Sequence, residues 1–260
     1  MSEPDLEALK QAVAARVSAA PVATAPFAHL VVDRLVPADV HAEILARWPA
    51  RARFEATNHA NRYELPLHRL LAEAAPDDAR FWRRLTELIG IAARGVRRKL
   101  TPHMDEKMAP LFGPGWPEVA RRLTLSPGHL VLVEYDRELW LDPHVDNIKI
   151  LVNSFLYVGG PAEPDATRGT VLYRSLGVML PTNLHVEPQE LAPWVRAERV
   201  VGFAANRLLS YVNSPRAFHG VARQTIEGEP RRLLIFGTLL NGAELEAALA
   251  GDPTSPTPTV

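Results

Sequence analysis

Cysteine is absent from the 260-residue chain, which excludes disulfides, iron–sulfur clusters, thiolate zinc sites and cysteine nucleophiles. No apolar run approaches the roughly 20 residues that a membrane-spanning helix needs. An excess of one charge is also missing: the formal net charge is −1, which leaves little to draw in nucleic acid. The basic run "ARGVRRKL" (93–100) lies inside a helical pattern and reads as a solvated face. The opening "MSEPDLEALKQ" lacks the positive-then-apolar order of a signal peptide. A cytoplasmic enzyme with neither nucleic-acid nor membrane partner is therefore the expectation. What remains is an ordinary globular composition, 47% hydrophobic and 23% charged.

Along the chain, apolar spacing predicts helices over 3–18, 37–48 and 76–99, with a short strand at 27–36. The stretch 54–67, "FEATNHANRYELPL", has no clear period and reads as a surface loop or a flap. Proline and glycine cluster at 109–117 as a turn-rich connector. From about 122 the texture changes to short β-rich runs separated by turn residues, the pattern of an antiparallel sandwich or barrel. The predicted organisation is one domain over 1–250, with a mostly helical part (1–121) before a β core (122–242). The polar, proline-rich residues 251–260 read as a loose tail.

Within the β region, "LDPHVDNIKILV" (141–152) places His144 and Asp146 two apart. On a strand, side chains at i and i+2 share a face, so an imidazole and a carboxylate would project together. Seven other histidines (29, 41, 59, 68, 103, 129 and 185) have no partner at ligand spacing and read as surface or hydrogen-bonded core residues. His219, in "YVNSPRAFHGVARQ", lies between two strand-like runs and can face a barrel interior. Two imidazoles and one carboxylate suit non-haem Fe(II) and leave coordination positions open. A zinc site is compatible with the same ligands, but no HExxH-type pairing is present. Twelve residues after His219, Arg231 opens the returning strand. A guanidinium facing a barrel interior needs an anion to meet it. Arg231 and Arg232 are adjacent, so only one can point inward; two exposed arginines at a strand start are the alternative.

Taken together, the segments "LVEYDRELWLDPHVDN", "NSFLYVGG", "RGTVLYR", "AFHGV" and "EPRRLLIFG" resemble the iron(II)- and 2-oxoglutarate-dependent oxygenases, in particular the prolyl-4-hydroxylase-like branch. The resemblance spans roughly 130–240, and "APFAHLVVDRLVPADV" is similar to how some members begin. It implies an α+β fold with a mainly β core, a double-stranded β-helix (jelly-roll or cupin-like barrel) flanked by N-terminal helices. It implies that His144, Asp146 and His219 bind Fe(II), and that Arg231, with Arg232 as fallback, holds the distal carboxylate of 2-oxoglutarate. Tyr157 and Tyr135 match positions that face the co-substrate, or else they pack as core aromatics. The chain departs from the family in having "RGT" before the strand at 170 and Leu233 two beyond Arg231.

The implied reaction is hydroxylation of an unactivated carbon by O2, releasing succinate and CO2. Halogenating relatives lack the carboxylate ligand that Asp146 supplies here. The substrate is a small molecule or a peptidyl side chain. Asn61, Arg62 and Tyr63 of the flap (58–64), together with an apparent insertion at 174–200, are expected at its mouth. The competing expectations are a cupin-like metal enzyme that does not use a keto acid, and a non-catalytic barrel acting as a binding module.

Overall fold

The computed structural model describes residues 3–57, 61–128, 130–184 and 186–250. His59, His129, His185, the first half of the flap (58–60) and the tail at 251–260 lie outside the described residues. The chain opens with α1 (Glu3–Ala19), β1 (Val22–Ala23), β2 (His29–Val32), α2 (Ala38–Ala46), β3 (Glu55–Ala56) and β4 (Arg62–Pro66). Helices α3 (Leu67–Glu73), α4 (Pro76–Leu100), α5 (Asp105–Phe112) and α6 (Trp116–Ala120) follow. Then come β5 (Thr124–Pro127), β6 (Val131–Tyr135), β7 (Glu138–His144), β8 (Ile150–Tyr157) and β9 (Asp165–Ser175). The chain continues with α7 (Pro188–Leu191), β10 (Val195–Phe203), β11 (Arg207–Val212), β12 (His219–Thr225), β13 (Arg231–Asn241) and α8 (Ala243–Ala250).

The strands form two antiparallel sheets. The larger runs β1-β2-β11-β8-β13-β6-β4-β3, with β5 also on β13; the smaller runs β10-β9-β12-β7. Strand β8 is covered on both faces, which is why "ILVNSFLY" shows no clean apolar–polar alternation. Its Val152 and Leu156 join a core beneath the helices. Its Tyr157 joins clusters that draw on both sheets, and these include Val133, Leu139, Val221 and Leu233. The sheets thus pack face to face as a double-stranded β-helix, and the helices cover the outer face of the larger one.

Helix α4 is the main brace. Pro76 starts it, Asp77 and Asp78 occupy the first turn, and Arg97, Arg98 and Lys99 the last, each sign matching the helix dipole. Its stripe from Phe81 and Trp82 through Leu88 to Leu100 is buried. Gly95 lets it approach α1, because a Cβ there would meet Val17 Cγ1 at 3.0 Å. In the basic run 93–100, Val96 and Leu100 are buried while Arg94 and Arg98 face outward.

Three expectations need correction. Residues 109–112 are not connector but the end of α5, which carries Pro110 internally and is held by buried Met108, Leu111 and Phe112. Within the stretch 54–67, residues 55–56 and 62–66 are not loop: β3 and β4 extend the larger sheet beyond β6. The N-terminal part, though mainly helical, therefore supplies four strands to the β core. Of the supposed insertion at 174–200, residues 195–200 belong to β10, paired with β9. The remainder buries Leu191 and packs Val178, Leu180 and Val186 against Val145 and Phe218. None of its described residues lines the cavity between the two sheets.

Candidate metal centre

His144 ends β7 and His219 begins β12, and the two are direct partners in the smaller sheet. Their ring centroids lie 4.3 Å apart. Gly220 permits this pairing, since a side chain there would collide with the Leu141 carbonyl oxygen. His144 Nδ1 lies 2.7 Å from the Asp142 carbonyl oxygen, and His219 Nδ1 lies 3.1 Å from that of Ala217. Both Nδ1 atoms are thus placed to donate to carbonyls, which frees each Nε2 lone pair for a ligand. Desolvation and the neighbouring His219 lower the His144 pKa to about 4, so that ring is neutral near pH 7.

Asp146 completes the cluster: one ligand atom from each of the three residues falls within 4.8 Å of the others. Strand periodicity is not the reason. β7 stops at His144, and Asp146 lies in the loop beyond it, although Val145 does turn away and is buried. The loop is set by Asn213, whose Oδ1 accepts from Asp146 N at 3.2 Å. Asn213 Nδ2 donates to the carbonyls of Asn147 and Ile150. Behind it Lys107, 1% exposed, donates to the carbonyls of Ile150 and Asn213, both at 2.9 Å. Desolvation lowers the Lys107 pKa to about 7, with Asp146 opposing.

Tyr211 and Asn153 hold the acid directly. Asp146 Oδ2 accepts from the Tyr211 hydroxyl at 2.5 Å and from Asn153 Nδ2 at 2.7 Å. Burial works against the carboxylate, but the facing imidazoles and these donors outweigh it and hold the group below its usual range. Burial, with the charge of Asp146, keeps Tyr211 protonated as a donor. None of Tyr211, Asn153, Asn213 or Lys107 was expected from the sequence. The available signal was a polar residue at an inward position of an apolar strand, as in "ILVNSFLY" and "RLLSYV".

From the cluster a cavity of about 180 Å³ runs between the sheets. Tyr157, Thr170 and Arg231 also line it, and the Tyr157 hydroxyl lies 2.6 Å from Thr170 Oγ1. Of the adjacent arginines, Arg231 is the one inside. It is 2% exposed, with its guanidinium over the rings of Phe203 and Tyr157 at 4.5 and 5.2 Å. Its Nη1 donates to the Arg168 carbonyl, while its Nε is buried without a partner. Desolvation lowers its pKa, but a guanidinium stays charged. Arg232 points away, 3.2 Å from buried Glu134 and 3.3 Å from Glu229. Tyr135 lines the cavity, and burial raises its pKa.

The flap residues part company. Arg62 lines the cavity. Tyr63, next on the strand, faces the helices and packs with Arg51. Asn61 adopts φ 59° and donates to the Glu138 carbonyl, tying β4 to the start of β7. Alternation along β4 is the reason for the split.

The donor set fits a divalent iron: neutral imidazole nitrogens and one hard oxygen, with space on the cavity side. The buried, unpaired Arg231 fits a carboxylate at the other end. No protein-family model and no curated protein matches the sequence. Solved structures do share the fold. One is the epimerase SnoN from nogalamycin biosynthesis, in complex with Fe3+, alpha ketoglutarate and nogalamycin RO (TM-score 0.53, 14% identity, covering 100% of this chain and 94% of that one). Another is a prolyl hydroxylase from Trichoplax adhaerens, in complex with a hypoxia inducible factor peptide fragment (TM-score 0.50, 12% identity, 95% and 94% covered). The common ground is the double-stranded β-helix with its flanking helices.

Proposed function

We propose that this chain is an Fe(II)- and 2-oxoglutarate-dependent dioxygenase that hydroxylates an unactivated carbon of a small-molecule or peptidyl substrate. His144, Asp146 and His219 would hold the iron; Arg231, with Tyr157 and Tyr135 beside it, would hold the keto acid. The observation that carries this reading is Arg231. Burying a cation without a counter-ion costs several kcal/mol, as an order of magnitude, and among the described residues no carboxylate lies within ion-pair distance of it. A ligand carboxylate supplies the missing partner. Arg232 already has Glu134 and Glu229.

When bound, the metal and keto acid together supply the oxidising chemistry that O2 drives. The residues supply order. Arg231 fixes the distal carboxylate so that the keto end of the diacid reaches the metal ligands. Tyr211 and Asn153 hold Asp146 Oδ2 and so fix the carboxylate beside the imidazoles. Leu233, Ile235 and Phe155 line the cavity between its two ends and exclude water.

Adding Fe(II) and 2-oxoglutarate anaerobically should give a visible charge-transfer band. Arg231→Ala should weaken 2-oxoglutarate binding by about 100-fold or more while leaving metal binding in place. An unchanged keto-acid affinity would favour a cupin-like enzyme that does not use it. Absence of metal binding would leave a non-catalytic barrel. Because an epimerase shares the fold, a product recovered without added oxygen would replace hydroxylation as the reaction.

A further inference from the structure

We propose that Arg62 forms a second anion subsite in the cavity, so that the substrate carries a carboxylate or a comparable anion on an apolar body. The inference rests on the oxygenase reading above and adds the substrate's class to it.

Arg231, Tyr135 and Arg62 are paired in register across three adjacent strands and form one row on the inner face. Two strand spacings put the backbones of the two arginines roughly 10 Å apart. The guanidinium groups part from there. That of Arg231 lies over Phe203 and Tyr157. That of Arg62 is 5.8 Å from the Tyr135 ring centroid and 2.6 Å from Glu64 Oε1. Tyr135 stands between them in the row, so one small carboxylate on Arg231 does not also engage Arg62.

Arg62 Nε is buried and has no hydrogen-bond partner. Among the described residues its one acid is Glu64, whose side chain is 32% exposed. Glu64 is partly exposed, so it can turn to water when a ligand anion arrives. Among the described residues, Asp146 is the sole acid lining the cavity. With iron and a keto-acid dianion loaded, the charges of metal, Arg231, Asp146 and co-substrate cancel. Arg62 is then the cation on the wall whose acid partner, Glu64, does not itself line the cavity. Leu139, Leu141 and Val221 of the smaller sheet lie across from it and provide apolar surface. A cavity of about 180 Å³ is below the roughly 300–1,000 Å³ of drug-sized sites, so the rest of the substrate sits outside, with its anion at Arg62 and its reacting carbon toward the metal.

The test uses the full chain loaded with Ni(II) and saturating 2-oxoglutarate, titrated calorimetrically with hexanoate and with hexanamide. The wild type should bind the acid at least about tenfold more tightly than the amide. Arg62→Gln and Arg62→Met should cut that preference below about twofold. Arg69→Gln, which removes the same charge from the surface, should keep it. A wild type without the preference, or either neutral variant retaining it, overturns the inference. The anaerobic Fe(II)–2-oxoglutarate band is read first. If the wild type lacks it, the oxygenase reading fails, and this inference with it. A wild-type band without charge preference sinks the inference alone. Loss of the band in both neutral variants makes Arg62 a structural or co-substrate residue and also overturns it.

Discussion

The Tyr211 hydroxyl has one proton and two acceptors in reach, Asp146 Oδ2 at 2.5 Å and His219 Nε2 at 2.9 Å. The carboxylate takes it, because a charged acceptor binds more strongly, and the imidazole lone pair is left free. Tyr211→Phe leaves the aromatic packing against Phe27 and Phe155 but frees the acid to swing. Its Co(II) affinity should fall about 10- to 100-fold, measured by competition with a chromophoric chelator. An unchanged affinity would mean that Asn153 alone suffices. Arg231→Leu should behave in the opposite sense. It removes an unpaired buried charge, so the ligand-free protein should gain on the order of 1–3 kcal/mol in a urea titration while losing 2-oxoglutarate. At this scale the sequence was informative where a motif has spacing, as for His144, Asp146 and His219. It was silent where a residue acts through another, as Tyr211, Asn153 and Asn213 do, because a lone polar residue in a strand has no pattern to betray it.

Strands and helices were legible in proportion to how much apolar surface they bury. Helix α4 carries its period openly, and strands β8 and β13 read as short apolar runs covered on both faces. Strand β4, "RYELP", inverts the usual pattern: Arg62 lines the cavity and Glu64 pairs with it, while Tyr63 and Leu65 meet the helix side, so its alternation was mistaken for a flap. Helix α5 hides a different surprise, the buried Lys107. In the folded chain its amine sheds a proton near pH 7, whereas unfolded it keeps that proton until about 10.4. Between those values the unfolded chain binds more protons, so stability rises with pH, by an order of a few kcal/mol across the window. Below pH 7 both states are charged and the full burial cost applies. The neutral amine still has two N–H groups for the carbonyls of Ile150 and Asn213. Lys107→Met should therefore be less stable at both pH 7 and pH 9, yet lack the rise between them. A rise of wild-type size in the variant would assign it to another group.

Taken whole, the molecule devotes one face of its larger sheet to helices and the other to a cavity with the His–Asp–His cluster and buried Arg231 in its wall. On the proposed reading its stability is conditional on ligands. A ligand bound only by the folded state adds about 2.7 kcal/mol at 100 times its Kd; at roughly 2–4 °C per kcal/mol for chains near this size, that is a rise of about 5–10 °C. Ni(II), chosen because it does not oxidise, should give one such increment. 2-Oxoglutarate added afterwards should give a second, since on the proposed reading it would have two anchors, the metal and Arg231. Without metal the keto acid should do far less, having only one of its two anchors. In Arg231→Leu the metal increment should persist while the second shrinks or disappears. Equal gains from 2-oxoglutarate with and without metal would place its site elsewhere than the cavity joining His144, Asp146 and His219 to Arg231.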